Sequence, residues 1–533
     1  MFFSLNKKTY IFFFFIIYLF IFSKGSISGD YEKIFDISQK FLNSDLSLVN
    51  FISNYQNKSN FLFFNEDTFF KHNFVFFLVD VLIIKFFEFI PYFQGYNYLI
   101  EFITASIPGT LFFISVLLIY NCYKNKFDRN FLIFAIIFFY FGTYLVNFFS
   151  SSAFAESYIF FLLSLRFYLI EKNKGNFFIP IIDAFLIQIR ITCWVLMPFF
   201  LYTYFKHKKF SLKNVFQYFV IFLILIIIFK ILLNPVALES YYIEKIVASF
   251  CSDNILQIIT TYIERLIQTF FSYSLGIFFI FPIIIFVLIS YAFNFKTEDI
   301  IKIISLFFLI GLFALEEYWF LPAGISGNRG IAPFLLFLFP NFVNGFKFVF
   351  LKFPKISFGV AFLSLILFLP SIYFRTTIGT YAICGQLDGC SIPFRDAVNN
   401  EIKYTDYKGE KVKCRLDNSF AVFNFNMHPS IYSYRIFNNI ILEKKVTKVN
   451  LVENRFYEID TNYVVPETIG ARIMFILKNN LKLIDQNKIN FKNYISKYAN
   501  ELSLIIFIFK IITFVSLFIL LFKKFKILQK DFI

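Results

Sequence analysis

Apolar runs of about twenty residues recur along this chain, with lysines and arginines in short clusters between them. That pattern leaves few solutions. A backbone placed in hydrocarbon must satisfy its own polar groups, and successive runs of this length do so as helices. Composition points the same way. The 533 residues are 58% hydrophobic and 16% charged, with a mean hydropathy of +0.67. A soluble domain is about a quarter charged and carries a polar surface that this chain cannot supply. The expected fold class is therefore an all-α polytopic membrane protein with about twelve transmembrane helices.

The 89 phenylalanines, with abundant Ile, Lys and Asn, match the coding bias of an AT-rich genome. Phe also serves well against lipid, so the Phe runs define no aromatic site. A net charge of +16 raises nucleic acid as a partner, but placement argues against it. The cations fall at Lys7 and Lys8, Lys124 to Arg129, Lys172 and Lys174, Lys206 to Lys209, Lys347 to Lys355, and Lys523 to Lys526. This is the positive-inside pattern of cytoplasmic loops, and no basic face with interleaved polar readers accompanies it. No nucleic acid is expected.

Charge then orients the chain. Lys7 and Lys8 place the N-terminus in the cytoplasm, ahead of an uncleaved first helix from Tyr10 to Phe22. The segment Asn73 to Tyr92 carries Asp80, Lys85 and Glu88, too many charges for a bilayer centre, and reads as an amphipathic helix on the outer interface. With that segment not crossing, spans alternate from 98 to 374, one more follows at 502–522, and both termini lie inside. The expected organisation is a transmembrane domain over 1–374 with an outer loop at 24–97. A small mixed α/β extracytoplasmic domain over 375–500 and a terminal helix with a basic tail over 501–533 complete it. The loop from Asn234 to Phe271 is placed outside, partly helical. Cys384 and Cys390 flank a short outer loop and suit a disulfide in an oxidising compartment, with free thiols as the alternative. Histidine and cysteine spacing suggests no metal.

Polar groups gather at three outer places. Asp30 and Glu32 follow the first span directly, beside Gly29. An acid there can act as a general base toward a hydroxyl or bind a divalent cation, and an ordinary solvated loop acid is the plain alternative. Glu156 opens a span, where a helix N-terminus favours an acid, so capping is its plain role. The third place runs from Glu316, Glu317 and Trp319 through a glycine-rich turn to Asn328 and Arg329. Arg329 can grip a phosphate bidentately, against the simpler reading of a snorkelling interfacial arginine. Arg190, between two short spans, is a second candidate of this kind.

The order of these features resembles the GT-C class of membrane glycosyltransferases, particularly members related to the protein mannosyltransferases. The resemblance rests on Gly29-Asp30-Tyr31-Glu32 after the first span, the outer amphipathic helix and Leu275-Gly276-Ile277-Phe278 leading to Pro282. Trp319, Gly324, Ser326, Gly327, Arg329, Pro333 and Pro340 complete it. The family's glycine pair is Ala323-Gly324 here, and its Gly-Pro-Arg is Gly327-Asn328-Arg329. The likeness covers residues 10 to 350 and implies an inverting enzyme of a bacterial inner membrane and cell envelope. Such an enzyme transfers a sugar from a polyprenyl-phosphate donor to a glycan, lipid or protein acceptor on the extracytoplasmic face. By the same implication Asp30 is the base or an acceptor-orienting carboxylate, with Glu32 beside it, and Glu156 is a second catalytic acid or a metal ligand. Arg329 or Arg190 contacts the donor phosphate, both belonging to the substrate site with Glu317, Trp319 and Asn328. Metal dependence varies in such families, so no metal is assigned beyond the option of a divalent cation. A polytopic transporter, or a flippase or polymerase of lipid-linked glycans, is the alternative function.

Overall fold

In the computed structural model the described residues are 37–45, 47, 50–51, 77–86, 89, 97–143, 145, 155–173, 177–208, 211–233, 255–271, 276–315 and 331–377. Short segments within 404–459 and scattered positions between 512 and 526 are also described. They are mostly helical. The main helices are α1 (Asn97–Tyr123), α2 (Arg129–Phe141), α3 (Ala155–Glu171), α4 (Phe178–Ile189), α5 (Met197–Lys208) and α6 (Leu212–Leu233). Then come α7 (Ile255–Phe271), α8 (Ile284–Phe293), α9 (Thr297–Leu315), α10 (Phe339–Lys352) and α11 (Pro354–Thr377). Three stretches, Ser106–Tyr123, Leu212–Phe229 and Ala332–Lys352, are long and apolar enough to cross a membrane.

Local chemistry fixes several boundaries. The Asp128 side chain accepts from the Phe131 N–H at 2.9 Å and so starts α2, satisfying a donor that the helix leaves unbonded. Glu298 and Asp299 sit in the first turn of α9, where the helix dipole favours acids, and Asp299 Oδ2 also accepts from Lys296 N at 2.9 Å. At Arg190 the backbone turns extended (φ −148°, ψ 113°), ending α4 before the 3-10 helix Ile191–Leu196 leads into α5.

Side-chain contacts give the helix directions. Phe112 stacks on Phe160, and Lys126 pairs with Glu171 at 2.9 Å, so α1 and α3 run parallel. Arg166 meets Asp183 while Glu156 meets Arg190, so α3 and α4 are antiparallel. Lys206 pairs with Glu298 and Arg190 stacks on Phe313, so α9 returns antiparallel to α5. Phe131 meets Phe350 and Phe139 meets Phe339, which sets α10 antiparallel to α2. By these directions Lys124 to Arg129, Lys172, Lys206 and Lys352 all gather at one end of the bundle. Glu156, Arg190 and the last turn of α9 lie at the other.

The core is aromatic. Phe134, Phe138, Phe286, Phe342 and Phe346 interlock between α2, α8 and α10, with ring centroids 5.1–5.7 Å apart in most pairs. Gly345 makes the close approach of α10 to α8 possible, because a Cβ there would sit 1.8 Å from the Phe286 carbonyl oxygen. The Phe-rich composition is in this region the composition of the core.

Polarity is reversed on the outside. On α6, Phe216, Phe219, Leu223, Ile224, Ile227 and Ile228 are exposed, while Tyr218 is buried. On α7, Ile255, Ile259, Ile263 and Ile267 face outward, while Arg265, Gln268 and Thr269 are buried. A water-soluble protein does not hold an ion-forming face inward against such a broad apolar exterior. The helix α7 falls within the stretch expected to be a partly helical outer loop. Of the expected interfacial segment, residues 77–86 are helical, with Phe77, Asp80 and Ile84 buried and Leu82, Lys85 and Phe86 exposed.

Within 375–500 the structure describes two antiparallel hairpins. In one, β1 (Tyr404–Tyr407) pairs with β2 (Glu410–Lys413), Tyr404 opposite Lys413; in the other, β3 (Val446–Asn450) pairs with β4 (Arg455–Ile459), Val446 opposite Ile459.

Candidate functional site

Two of the candidate residues meet. Glu156 lies in the first turn of α3, and Arg190 is the joint at which α4 gives way to the 3-10 helix. Because α3 and α4 form an antiparallel pair, these positions, 34 residues apart in sequence, share one end of the bundle. Arg190 Nη1 donates to Glu156 Oε1 at 2.8 Å. The guanidinium carbon lies 4.6 Å from the centroid of the Phe313 ring, so Arg190 is held by a charge on one side and a π-face on another. The two partners are not equally accessible: the Glu156 side chain is 3% exposed and that of Arg190 is 21% exposed.

The last turn of α9 is the meeting point. Phe313 takes Arg190, and the next carbonyl, Ala314 O, accepts a long contact from Arg265 Nη1 at 3.4 Å. Gly311 leaves room for the Tyr262 hydroxyl, which would stand 2.6 Å from a Cβ there. The chain then passes from Leu315 directly to Glu316 and Glu317. A carboxylate and two guanidiniums, those of Glu156, Arg190 and Arg265, therefore sit at this end of the bundle. Such groups can bind an anion, orient a hydroxyl and accept its proton.

Two further polar clusters join residues that the sequence leaves unpaired. Arg166, 1% exposed, donates from Nε to Asp183 Oδ1 at 2.6 Å and from Nη2 to Asp183 Oδ2 at 3.3 Å. It also donates to Thr203 Oγ1 at 2.9 Å and Phe200 O at 2.7 Å, while Tyr218 donates to Asp183 Oδ2 at 2.8 Å. This network ties α3, α4, α5 and α6 together. At the basic end, Lys302 Nζ donates to Asp299 Oδ1 at 3.2 Å and Asn341 Oδ1 at 3.3 Å, and Asn341 Nδ2 donates to Asp299 Oδ1 at 3.0 Å. Arg166 and Asp183 lie in neighbouring apolar helical runs, and their opposite signs mark each as costly to bury without saying which partner it takes.

The other candidates, Asp30, Glu32, Glu317, Trp319, Asn328 and Arg329, lie outside the described residues, as do Cys384 and Cys390. Cys122 and Cys193 are buried free thiols. Among the described residues no three His, Cys, Asp or Glu side chains cluster as metal ligands. No family model, curated protein or solved structure matches this chain.

Proposed function

We propose that the chain is a multi-pass membrane protein of about twelve spans with both termini in the cytoplasm. In this reading it transfers a sugar, with inversion, from a polyprenyl-phosphate donor to an acceptor at the extracytoplasmic face. The Glu156–Arg190 pair carries the reading. It joins an acid and an arginine, two groups this chemistry needs, at the end of the bundle opposite the basic clusters. The positive-inside rule makes that end extracytoplasmic. The apolar exterior of α6 and α7 supports the membrane setting, and the resemblance to GT-C glycosyltransferases in the ordered motifs supports the reaction class.

In this reading Arg190, with Arg329, holds the donor phosphate and stabilises the charge that grows on it as the sugar leaves. Asp30 takes the proton of the attacking acceptor hydroxyl or orients that hydroxyl, with Glu32 beside it. Glu156 is the second acid. Glu317, Trp319 and Asn328 line the sugar, and the 375–500 domain recognises the acceptor or caps the cavity.

A second reading has one observation in its favour. The Arg166–Asp183–Tyr218 network lies within the helices, where a transporter or flippase keeps its buried charges. Every oxygen of Asp183 is engaged by protein donors there, which fits a structural clamp better than a ligand site.

The test is sugar transfer from a panel of polyprenyl-phosphate sugars by full-length wild type and Asp30→Asn. Transfer by wild type that disappears in a folded Asp30→Asn supports the reading and its base. Equal turnover removes Asp30 from the mechanism. Labelled solute crossing sealed vesicles with no transfer selects the transporter.

A further inference from the structure

We infer that α10, α11 and the terminal segment together bind the phosphate headgroup of an anionic phospholipid at the basic end of the bundle. The inference rests on the membrane setting proposed above and not on the transfer reaction. Three stretches far apart in sequence meet there through aromatic rings. Phe525 is buried against Phe350 of α10 and Phe358 of α11, with ring centroids 6.0 and 4.6 Å away, and Phe522 lies 6.1 Å from Phe358. Phe131, early in α2, joins the cluster 5.7 Å from Phe350. Each ring brings cations with it. Lys352 follows Phe350 by two residues, Lys355 precedes Phe358 by three, and Lys523 and Lys526 flank Phe525. Arg129 opens α2 two residues before Phe131.

All five cations are exposed, and among the described residues no carboxylate pairs with any of them. No Asp or Glu occurs in 318–387 or in 502–530, and Asp128, beside Arg129, already caps α2. Apolar packing therefore gathers like charges that the chain does not neutralise itself. The surface between them says what does. Leu351, Phe353, Ile356 and Phe522 are exposed among the lysines. Lys352 and Lys526 hold their ammonium groups 4.4 and 4.8 Å from the Phe348 and Phe522 ring centroids, at the edge of that apolar rim. A soluble anion has nothing to offer the rim. A phospholipid meets both halves, its phosphate on the ammonium groups and its acyl chains on the exposed Leu, Ile and Phe side chains.

Retention of phosphatidylglycerol, and separately of phosphatidylcholine, on full-length protein in a neutral detergent is titrated by native mass spectrometry. The two lipids share the phosphate diester, but phosphatidylcholine neutralises it with its own ammonium. Wild type is compared with Lys352→Gln/Lys526→Gln, with the double arginine variant at the same positions, and with Lys172→Gln/Lys213→Gln, a charge-matched pair outside the patch. Each is first checked for a cooperative thermal transition. Wild type should retain phosphatidylglycerol about tenfold more tightly than phosphatidylcholine, and the patch double glutamine variant should lose about tenfold of that affinity. The arginine variant and the Lys172/Lys213 variant should stay within about twofold of wild type, and added salt should weaken the preference. Equal retention of both lipids by wild type overturns the site, as does a preference that survives Lys352→Gln/Lys526→Gln. An equal loss in Lys172→Gln/Lys213→Gln shows a response to net charge alone and also overturns it. Glycerol 3-phosphate bound as tightly as the lipid makes the occupant a soluble anion and overturns the lipid assignment. Should the first double variant fail to fold, Lys355→Gln/Lys523→Gln carries the test. The transfer reaction stands or falls separately, since Glu156 and Arg190 lie at the opposite end of the bundle.

Discussion

Glu156 and Arg190 meet at 2.8 Å, yet one side chain is 3% exposed and the other 21%. That asymmetry has an energetic consequence. If Arg190 is removed, a buried carboxylate loses its counter-ion; if Glu156 is removed, the guanidinium keeps solvent on one side and the Phe313 ring on another. Arg190→Met is therefore expected to destabilise by about 3 kcal/mol or more, and Glu156→Met by about 1 kcal/mol. Unfolding of the purified protein in one detergent, with both variants side by side, measures the difference. Equal losses would show that the pair is solvated alike on both sides.

The Arg166–Asp183 network makes a stronger stability prediction. Asp183→Ala leaves Arg166 buried with its principal counter-charge gone, at a cost of about 3–5 kcal/mol. Tyr218→Phe removes one hydrogen bond to the same carboxylate and costs about 1.5–3 kcal/mol. Heat-induced aggregation of detergent-solubilised protein should follow that order. A Tyr218→Phe loss larger than that of Asp183→Ala would contradict the clamp.

Two glycines should answer in opposite directions. Gly345→Ala drives a methyl into the Phe286 carbonyl and must push α10 from α8, costing about 3 kcal/mol or more. A Cβ at Gly359 meets no atom within 4 Å among the described residues, and Gly359→Ala in α11 should stabilise by about 0.5–1 kcal/mol. Melting temperatures of the two alanine variants, taken in the same preparation, check the sign of each.

The pair at the basic end sets a pH dependence. Lys206 opens the basic loop cluster Lys206 to Lys209, and Glu298 lies in the first turn of α9 at the same end of the bundle. Partial burial pushes the Glu298 carboxyl up, but Lys206 and Lys302 outweigh it and hold it below its ordinary value of 4.5. Its folded value is thus lower than its unfolded one. The stability it contributes is complete above about pH 4.5 and is lost as pH falls through the folded value. The bond from Lys206 to Glu298 raises the lysine above 10.5, so the alkaline edge lies beyond that. Melting curves of wild type and Glu298→Gln should be separated at pH 7 and converge in acid, with the gap narrowed by salt. A gap that widens in acid contradicts the pairing.

The parts of this fold most legible in the sequence are those governed by one-dimensional patterns. Basic clusters between apolar runs placed Lys126, Lys172, Lys206 and Lys352 on one side, and the helix directions bring them to one end. Pairing was not legible. Nothing local to Arg166 says that its partner is Asp183 and that Thr203 and Tyr218 complete the shell, because the match depends on how α3 to α6 pack. Likewise Glu156 reads as a helix-start acid and Arg190 as a lone cation until the hairpin of α3 and α4 sets them together. The inward Arg265 on α7 was hidden by a long polar loop whose helical part carries its apolar face outward.

The most direct test of the central claim follows the sugar–phosphate bond itself. Full-length protein in proteoliposomes is given polyprenyl-phosphate donors labelled in the sugar, with candidate acceptors on the extracytoplasmic side. Released polyprenyl phosphate and labelled product are then measured for wild type and Glu156→Gln. The account predicts cleavage by wild type with inversion at the anomeric carbon, and a loss of roughly 10²-fold or more in a folded Glu156→Gln that still binds donor. Equal cleavage by both proteins, or an intact donor together with solute flux across the vesicle, would contradict it.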